Sequence, residues 1–211
     1  MPCCLFCFSD EPVQTKDDKD GKGRSQFTNN FQQTLMNSAC DQPNCCLGMF
    51  CLPCCNCSTR MMVLDDDMSK YRCCQGYMDG CCCFKAGNCC EETCPYPCLC
   101  IESFCCPGLA VSSSRLYVMD QYELTTDPCD RRLIRFNNCL QMLACICDIL
   151  ALIDKSFKEL AQIIRCIADI VFLMMSGCMI AQVRNEKEYQ KTKKGNGNTS
   201  YNPPVATASK M

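Results

Sequence analysis

Apolar residues recur at helical spacing in two long stretches of the C-terminal half of the chain. The first stretch has a wide apolar face, formed by Leu140, Leu143, Ile146, Ile149, Leu150 and Ile153. Its polar residues fall roughly on one face of the same helix, at Asn137, Gln141, Asp148 and Lys155. After a polar break, apolar residues again repeat at helical spacing, at Ile163, Ile164, Ile167, Ile170, Val171, Met174 and Cys178. The two stretches predict an antiparallel helical pair.

The same pattern divides the chain into four segments. Residues 1–38 join a cysteine-tipped N-terminus to a polar stretch without a sustained period, which predicts a disordered linker. Residues 39–130 are a cysteine-rich module, 131–188 the helical hairpin, and 189–211 a polar tail that we expect to be disordered. The predicted fold class is mainly α with an irregular small cysteine-rich module, in which a turn-rich, metal- or thiol-stapled block is followed by a long antiparallel helical hairpin.

Nineteen of the 28 cysteines lie between Cys40 and Cys106, where branched aliphatic residues are few. An ordinary hydrophobic core cannot be assembled from such a segment, so another force must order it. Proline and glycine recur through the segment as far as Gly108, which predicts turns and metal knuckles instead of long helices or strands. Residues 109–130 are expected to connect this block to the hairpin.

The compartment decides between metal ligation and disulfide bonding. The N-terminal residues lack the long apolar run of a secretory signal, so we expect an intracellular protein in a reducing environment, where stable disulfides are the less favoured alternative. Histidine is absent. A metal site must therefore be built from sulfur, or from sulfur and carboxylate.

Two stretches of the cysteine block share one plan. A cysteine pair, a spacer and a second pair flanking proline occur from Cys45 to Cys54, and again from Cys89 to Cys98. Thiolates two residues apart can both bind one tetrahedral zinc ion. The predicted ligands are Cys45, Cys46, Cys51, Cys54, Cys57, Cys89, Cys90, Cys94, Cys98 and Cys100. Scattered free thiols, bridging clusters and multiple acylation remain open as alternatives.

The N-terminal cysteines have a different chemical setting. Cys3 and Cys4 lie among apolar residues, with no glycine available for myristoylation. This setting predicts acylation at one of these two thiols.

Membrane association depends on the two apolar stretches. The best windows, Cys139–Ile153 and Ile167–Val183, are shorter than the roughly 20 residues of a spanning helix, and each contains an aspartate, so two clean spans are not expected. In a soluble helical core, Arg165 would pair with Asp169, four residues away. In a hairpin that lies in or re-enters a membrane, Arg165 would instead neutralise Asp148 across the pair. We expect membrane association of some kind.

The Cys89–Cys98 segment resembles the signature of the placenta-specific protein 8 / cornifelin family, which includes the plant cadmium-resistance proteins. Further matches lie downstream, at Arg115, Tyr122, Leu124, Cys129, Cys178, Gln182 and Glu186. The chain departs from the family pattern at Arg132 and Ala181, where cysteines are expected. The resemblance implies membrane residence and metal handling.

No residue pattern predicts an enzyme, and a Cys-His catalytic arrangement is excluded by the absence of histidine. The formal net charge of −2 offers no basic surface for nucleic acid. We therefore expect a non-enzymatic, membrane-associated, cysteine-rich protein in zinc-like metal-ion handling or regulation. The alternative is a cytoplasmic, zinc-stapled interaction or structural scaffold. A homo-oligomer is compatible with both, and the sequence does not indicate a protein partner.

Overall fold

The computed structural model describes residues 7–9, 27–41, 51–77 and 90–196. Within these ranges the chain is mainly helical, and the predicted fold class, with a long antiparallel hairpin after the cysteine-rich segment, is confirmed. The helices are α1 Leu35–Asp41, α2 Leu52–Val63, α3 Pro95–Cys105, α4 Pro107–Tyr122, α5 Pro128–Ile153 and α6 Lys158–Asn196. Two short strands, β1 Asn29–Asn30 and β2 Leu124–Thr125, pair in parallel.

Helices α2, α3 and α4 all begin in the same way. The residue before each helix is a cysteine, with φ/ψ of −138°/68° at Cys51, −137°/64° at Cys94 and −132°/58° at Cys106. A proline follows within the first two helical positions, where its missing N–H costs no intrahelical hydrogen bond. Because Cys51 and Cys94 correspond in the predicted sequence repeat, the two copies of the repeat have the same backbone conformation at this point.

Helix α4 is buried along most of its length. It occupies a segment that the sequence predicted to be a connection. Its residues from Pro107 to Leu116 are all buried. A helix buried on every side has no apolar stripe, so the sequence gives no periodic signal. Three consecutive serines fit this environment because their hydroxyls donate to backbone carbonyls of the preceding turn, as Ser112 does to the Gly108 oxygen at 2.8 Å.

The hairpin has polar residues at both ends of α5. The Asp127 carboxylate accepts the Cys129 N–H at 2.7 Å, which caps the start of the helix. At the far end, the Asp154 carboxylate accepts the Ser156 N–H at 2.9 Å and starts a short 3₁₀ turn, Lys155–Phe157. This turn falls at the polar break that the sequence placed between the two helices.

The C-terminal half of α6 is the element around which the core is built. From Met175 to Val183 it is buried at nearly every position, whereas between Lys158 and Ile170 only Ala161 and Ala168 are buried. The main core cluster comprises Phe8, Leu35, Leu52, Val111, Ile134, Phe172, Met175, Met179 and Ile180. The N-terminal half of α6 therefore pairs with α5 as a hairpin that extends away from this core.

A buried polar network joins α4, α5 and α6. The Arg115 Nε donates to the Gln182 Oε1 at 3.0 Å, and the Gln182 Nε2 donates to the Asp130 Oδ2 at 2.9 Å. Arg115 also pairs with Asp130 at 3.4 Å. All three residues are at most 2% exposed. Two residues of the family resemblance, Arg115 and Gln182, are thus in direct contact.

Several sequence-based boundaries differ from the observed elements. The cysteine-rich block was expected to lack long helices but contains α2 and α3. The expected linker, which ended at residue 38, contains β1 and most of α1, and α1 continues to Asp41 in the expected cysteine-rich module. Helix α6 continues to Asn196, beyond the expected end of the hairpin at residue 188. In each case contacts between distant segments order the chain, as when the Gln32 N–H donates to the Glu186 Oε2 at 2.9 Å.

Candidate metal centre and apolar hairpin

The candidate metal centre consists of Cys73, Cys74 and Glu102. Their two Sγ atoms and one carboxylate oxygen all lie within 4.8 Å of one another, and all three residues are buried. A tetrahedral zinc ion with sulfur ligands at about 2.3 Å and oxygen at about 2.1 Å separates its ligand atoms by about 3.5–3.8 Å. The three donor atoms therefore fit one zinc-sized ion, with a fourth ligand position to be completed. This is the sulfur-and-carboxylate donor set that a chain without histidine requires.

A tight turn presents the two thiols. Cys73–Gly76 forms a 3₁₀ turn in which Cys74 and Gln75 have positive φ values of 45° and 49°. Non-glycine residues adopt this left-handed conformation at an energetic cost, so the surroundings must hold it in place. Two carboxylates do so, since the Cys73 N–H donates to the Glu91 Oε1 and the Cys74 N–H to the Glu102 Oε2, both at 2.9 Å.

Glu102 joins three elements around the centre. The Arg60 Nη2 of α2 donates to its Oε1 at 3.0 Å, and the Tyr71 hydroxyl donates to its Oε2 at 2.9 Å. Arg60 and Glu102 are each only 1% exposed. Because Arg60 neutralises the Glu102 carboxylate, the thiolates of Cys73 and Cys74 supply the two negative charges that would balance a divalent ion in this buried position.

Without a bound ion, the centre favours the protonated, uncharged forms of the Cys74 thiol and the Tyr71 hydroxyl. A hydrogen bond with the Cys73 thiol, together with burial, raises the pKa of the Cys74 thiol far above its usual range. Burial and the neighbouring Glu102 carboxylate likewise raise the pKa of the Tyr71 hydroxyl. In the absence of a metal ion, Cys74 is therefore a protonated thiol at neutral pH.

Three further thiols lie at and just before the start of α3, the helix that supplies Glu102. Cys90, Cys94 and Cys98 follow one another at four-residue intervals, and the Cys94 and Cys98 N–H groups donate to the carbonyl oxygens of Cys90 and Cys94 at 2.8 and 3.3 Å. Burial raises the pKa of the Cys98 thiol, with added contributions from Cys90, Glu91, Cys94 and Cys73.

The other predicted ligands that lie in the described part of the chain are not gathered into one site. The Cys57 and Cys100 Sγ atoms lie 3.9 Å apart, and the Cys51 and Cys54 sulfurs lie within bonding distance, as a disulfide. The Cys51–Cys54 pair thus differs from the two separate thiolates that a zinc site needs. The predicted ligands Cys45, Cys46 and Cys89 and the predicted acylation residues Cys3 and Cys4 lie outside the described residues.

Sequence reasoning did not select Cys73, Cys74 or Glu102. Cys73 and Cys74 were recognisable only as one of several adjacent pairs, and adjacent cysteines lack the two-residue spacing typical of zinc ligands. Glu102 is a single acidic residue within the apolar and thiol-rich sequence of α3. The one available signal was the absence of histidine, because it directs attention to carboxylates near cysteine pairs.

The hairpin has small and polar residues inside and large apolar residues outside. Between Phe136 and Ile170 its buried positions are Asn137, Gln141, Ala144, Cys147, Ala161 and Ala168. Gln141 donates from its Nε2 to the Ala168 carbonyl oxygen of the facing helix at 2.8 Å. The exposed large apolar residues are Phe136, Met142, Leu143, Ile146, Ile149, Leu150, Leu152, Ile153, Phe157, Leu160, Ile163, Ile167, Ile170 and Met174. This polarity is the reverse of that of a soluble helical core.

The single ion pair between the two hairpin helices that the structure describes joins Asp148 and Arg165. The Arg165 Nε donates to the Asp148 Oδ2 at 3.0 Å, and its Nη2 contacts the same oxygen. The sequence offered Asp148 and Asp169 as partners of Arg165, and the structure selects Asp148. The prediction that opposite charges neutralise each other across the helical pair is confirmed.

Two of the described helices, α5 and α6, are long and apolar enough to cross a membrane by length and composition. They contain 26 and 39 residues. Both helices are therefore longer than the apolar windows Cys139–Ile153 and Ile167–Val183 that the sequence indicated. Of their most apolar 18-residue windows, 17% is buried in α5 and 39% in α6, so neither window is enclosed as the core helix of a soluble protein would be.

Comparisons with known proteins add no family assignment: no protein-family model matches the chain, and neither curated proteins nor solved structures give a match.

Proposed function

We propose that the protein is a non-enzymatic, membrane-associated, cysteine-rich protein that binds zinc or a similar soft metal ion. In this proposal the α5–α6 hairpin is inserted into the bilayer, and the Cys73–Cys74–Glu102 centre holds the ion outside it. The observation that carries the proposal is the reversed polarity of the hairpin.

Contact with lipid is energetically favourable for the hairpin. Fully burying a large apolar side chain contributes about 1.5–3 kcal/mol, and the hairpin leaves fourteen such side chains exposed. Soluble monomers rarely expose contiguous apolar surface on this scale. Lipid removes the cost because the acyl chains are as apolar as the side chains. Small residues between the helices, such as Ala161 and Ala168, are typical of helix pairs in membranes.

The dimensions and charges of the hairpin agree with insertion. The exposed apolar stretch of α5 from Phe136 to Ile153 is about 27 Å long at 1.5 Å per residue, close to the thickness of about 30 Å of a hydrocarbon core. The Asp148–Arg165 pair neutralises two of the three charges at this depth, and Asp169 remains exposed. The tip between the helices is polar, and residues such as Asp154 and Lys155 suit the headgroup region.

The metal part of the proposal rests on the donor set. Two buried thiols and a buried carboxylate share one centre. Sulfur-rich, buried donor sets favour zinc and other soft ions over magnesium or calcium. Bound at this centre, the ion would hold the turn at Cys73 against α3. The apolar cluster of Leu64, Met68, Tyr71 and Leu99 also orders the cysteine block, which the sequence was wrongly expected to leave without a core.

Membrane insertion is tested by flotation of full-length protein with liposomes, followed by alkaline carbonate extraction. We expect the wild type to float and resist extraction. The triple variant Ile149→Gln, Ile163→Gln, Ile170→Gln should lose liposome binding. A matched control, Met36→Gln, Ile101→Gln, Phe104→Gln, replaces equally exposed apolar residues outside the hairpin and should still float. A wild type that remains soluble as a defined oligomer would instead support the zinc-stapled scaffold.

Metal binding is tested by elemental analysis of protein purified under reducing conditions. We expect bound zinc in the wild type and the loss of about one equivalent in the double variant Cys73→Ser, Cys74→Ser. The control Cys129→Ser, Cys139→Ser removes two exposed thiols away from the centre and should retain the metal. Equal zinc contents in the two variants would contradict the assignment of the centre.

A further inference from the structure

A second pair of thiols lies apart from the buried centre, between α2 and α3. The Cys57 and Cys100 Sγ atoms are 3.9 Å apart, with Cys57 half-buried and Cys100 exposed. We propose that Cys57 and Cys100 form a redox-sensitive dithiol that a peroxide converts into a disulfide linking α2 to α3. This inference is independent of the proposed function, because it requires neither a membrane nor a bound metal ion.

The two helices hold the sulfurs in register. The Arg60–Glu102 ion pair joins α2 and α3 at 3.0 Å close to the two thiols, three residues after Cys57 and two after Cys100. The Cys57 thiol also points toward the Leu99 carbonyl oxygen, at 3.9 Å. The sulfurs, 3.9 Å apart, need to approach by about 1.9 Å to reach the S–S bond length of about 2.05 Å.

Exposure assigns different roles to the two thiols. Cys100 is accessible to a peroxide dissolved in water, whereas the Cys57 thiol is half-buried. A half-buried thiol meets dissolved peroxide less often but can attack a sulfenic acid beside it. Cys100 is therefore the thiol that is oxidised first, and Cys57 is the thiol that resolves it.

The reaction balances with one peroxide per disulfide. The Cys100 thiolate attacks one oxygen of the O–O bond, which breaks and leaves a sulfenic acid and one molecule of water or alcohol. The Cys57 sulfur then attacks the Cys100 sulfur, the S–O bond breaks, and hydroxide departs as water. Both thiol protons end in these products, and the peroxide accepts the two electrons lost by the two sulfurs. A low-molecular-weight thiol reverses the reaction by exchange.

The test uses the reduced full-length protein, treated with one equivalent of hydrogen peroxide, alkylated and digested without reduction. We expect mass spectrometry to find a Cys57–Cys100 cross-link in the wild type that dithiothreitol removes. The controls Cys55→Ser and Cys105→Ser remove one thiol from each of the same helices and should retain the cross-link. Cys57→Ser and Cys100→Ser should each abolish it, with circular dichroism confirming that both variants are folded.

The single variants also distinguish the two roles. In Cys57→Ser, dimedone should trap a sulfenic acid at Cys100, whereas in Cys100→Ser the Cys57 thiol should remain reduced. Preferential cross-linking of Cys57 or Cys100 to other thiols would overturn the proposal. Loss of bound zinc in either variant would also overturn it, because the pair would then be a metal site.

Discussion

Asp148 of α5 and Arg165 of α6 form an ion pair across the hairpin, with the Arg165 Nε 3.0 Å from the Asp148 Oδ2. Together with Asp169, which is exposed, these two residues are the charges on the apolar part of the hairpin that would oppose its insertion into a bilayer. Their pairing joins the two helices across the hairpin. Two of the three unfavourable charges are therefore paired in the folded hairpin.

The first prediction concerns this pair. Neutralising one partner, by Asp148→Asn or Arg165→Gln, leaves an uncompensated charge at bilayer depth, which costs about 2.5 kcal/mol or more. We expect each single variant to bind liposomes about 50-fold or more weakly, and the double variant to recover most of the loss. Asp169→Asn should bind at least as tightly as the wild type, because it removes an exposed charge and leaves the Asp148–Arg165 pair intact. Equal binding by the single and double variants would argue against insertion.

The second prediction concerns Glu102. Replacing it with glutamine leaves the buried Arg60 guanidinium without its counterion, and breaking a buried pair in this way costs about 3–5 kcal/mol. We expect Glu102→Gln to lower the urea midpoint strongly, even in metal-free protein. Asp67→Asn, in the exposed pair with Lys70, should leave the midpoint unchanged. If the two substitutions have similar effects, Glu102 does not join α2, the turn and α3 as described.

The third prediction concerns the end of α4. Glu123 follows the last residue of that helix with φ 53° and ψ 47°, a left-handed conformation that favours glycine. Because Glu123 is exposed, Glu123→Gly should remove this strain with no loss of packing and stabilise the fold by about 0.5–1 kcal/mol. Urea unfolding measures the change. If Glu123→Gly is less stable than the wild type, the glutamate side chain contributes more to the free energy of unfolding than its left-handed backbone conformation costs.

The fourth prediction concerns alkaline pH. Burial, together with the Asp65 and Glu186 carboxylates, raises the pKa of Tyr122 from 10.0 to about 12. The folded state therefore favours the protonated phenol, and this contribution to stability is complete below pH 10 and disappears as the pH rises through 12. Tyr122→Phe should lose less stability than the wild type between pH 10 and 12. If the free energies of unfolding of the two proteins fall in parallel between pH 10 and 12, the raised pKa of Tyr122 is contradicted.

The sequence predicted those features that depend on local periodicity and on a small number of charges. The two hairpin helices follow from apolar residues at helical spacing, and the Asp148–Arg165 pair follows from the antiparallel arrangement. Helix α4 could not be predicted in this way, because its buried serines and apolar residues cover every face. Its place at the centre depends on packing by α6, a contact between distant parts of the chain.

The metal centre shows the same limit. Cys73 and Cys74 become a site only because α3 brings Glu102 beside them and Glu91 holds the turn. Neither contact leaves a spacing signal in the sequence, since Cys74 and Glu102 are 28 residues apart. The general donor class, sulfur with carboxylate, could be predicted from the absence of histidine, but the residues that supply it could not.

The accessibility of native thiols on the hairpin tests membrane insertion most directly. Cys145 and Cys166 are exposed on the hairpin, whereas Cys105 and Cys129 are exposed at the end of α3 and the start of α5. The reduced protein is reconstituted into liposomes, with a charged, membrane-impermeant maleimide on both sides of the bilayer. The proposal predicts that Cys105 and Cys129 are modified while Cys145 and Cys166 are protected until detergent and denaturant are added. Modification of all four thiols at similar rates in intact liposomes would contradict it.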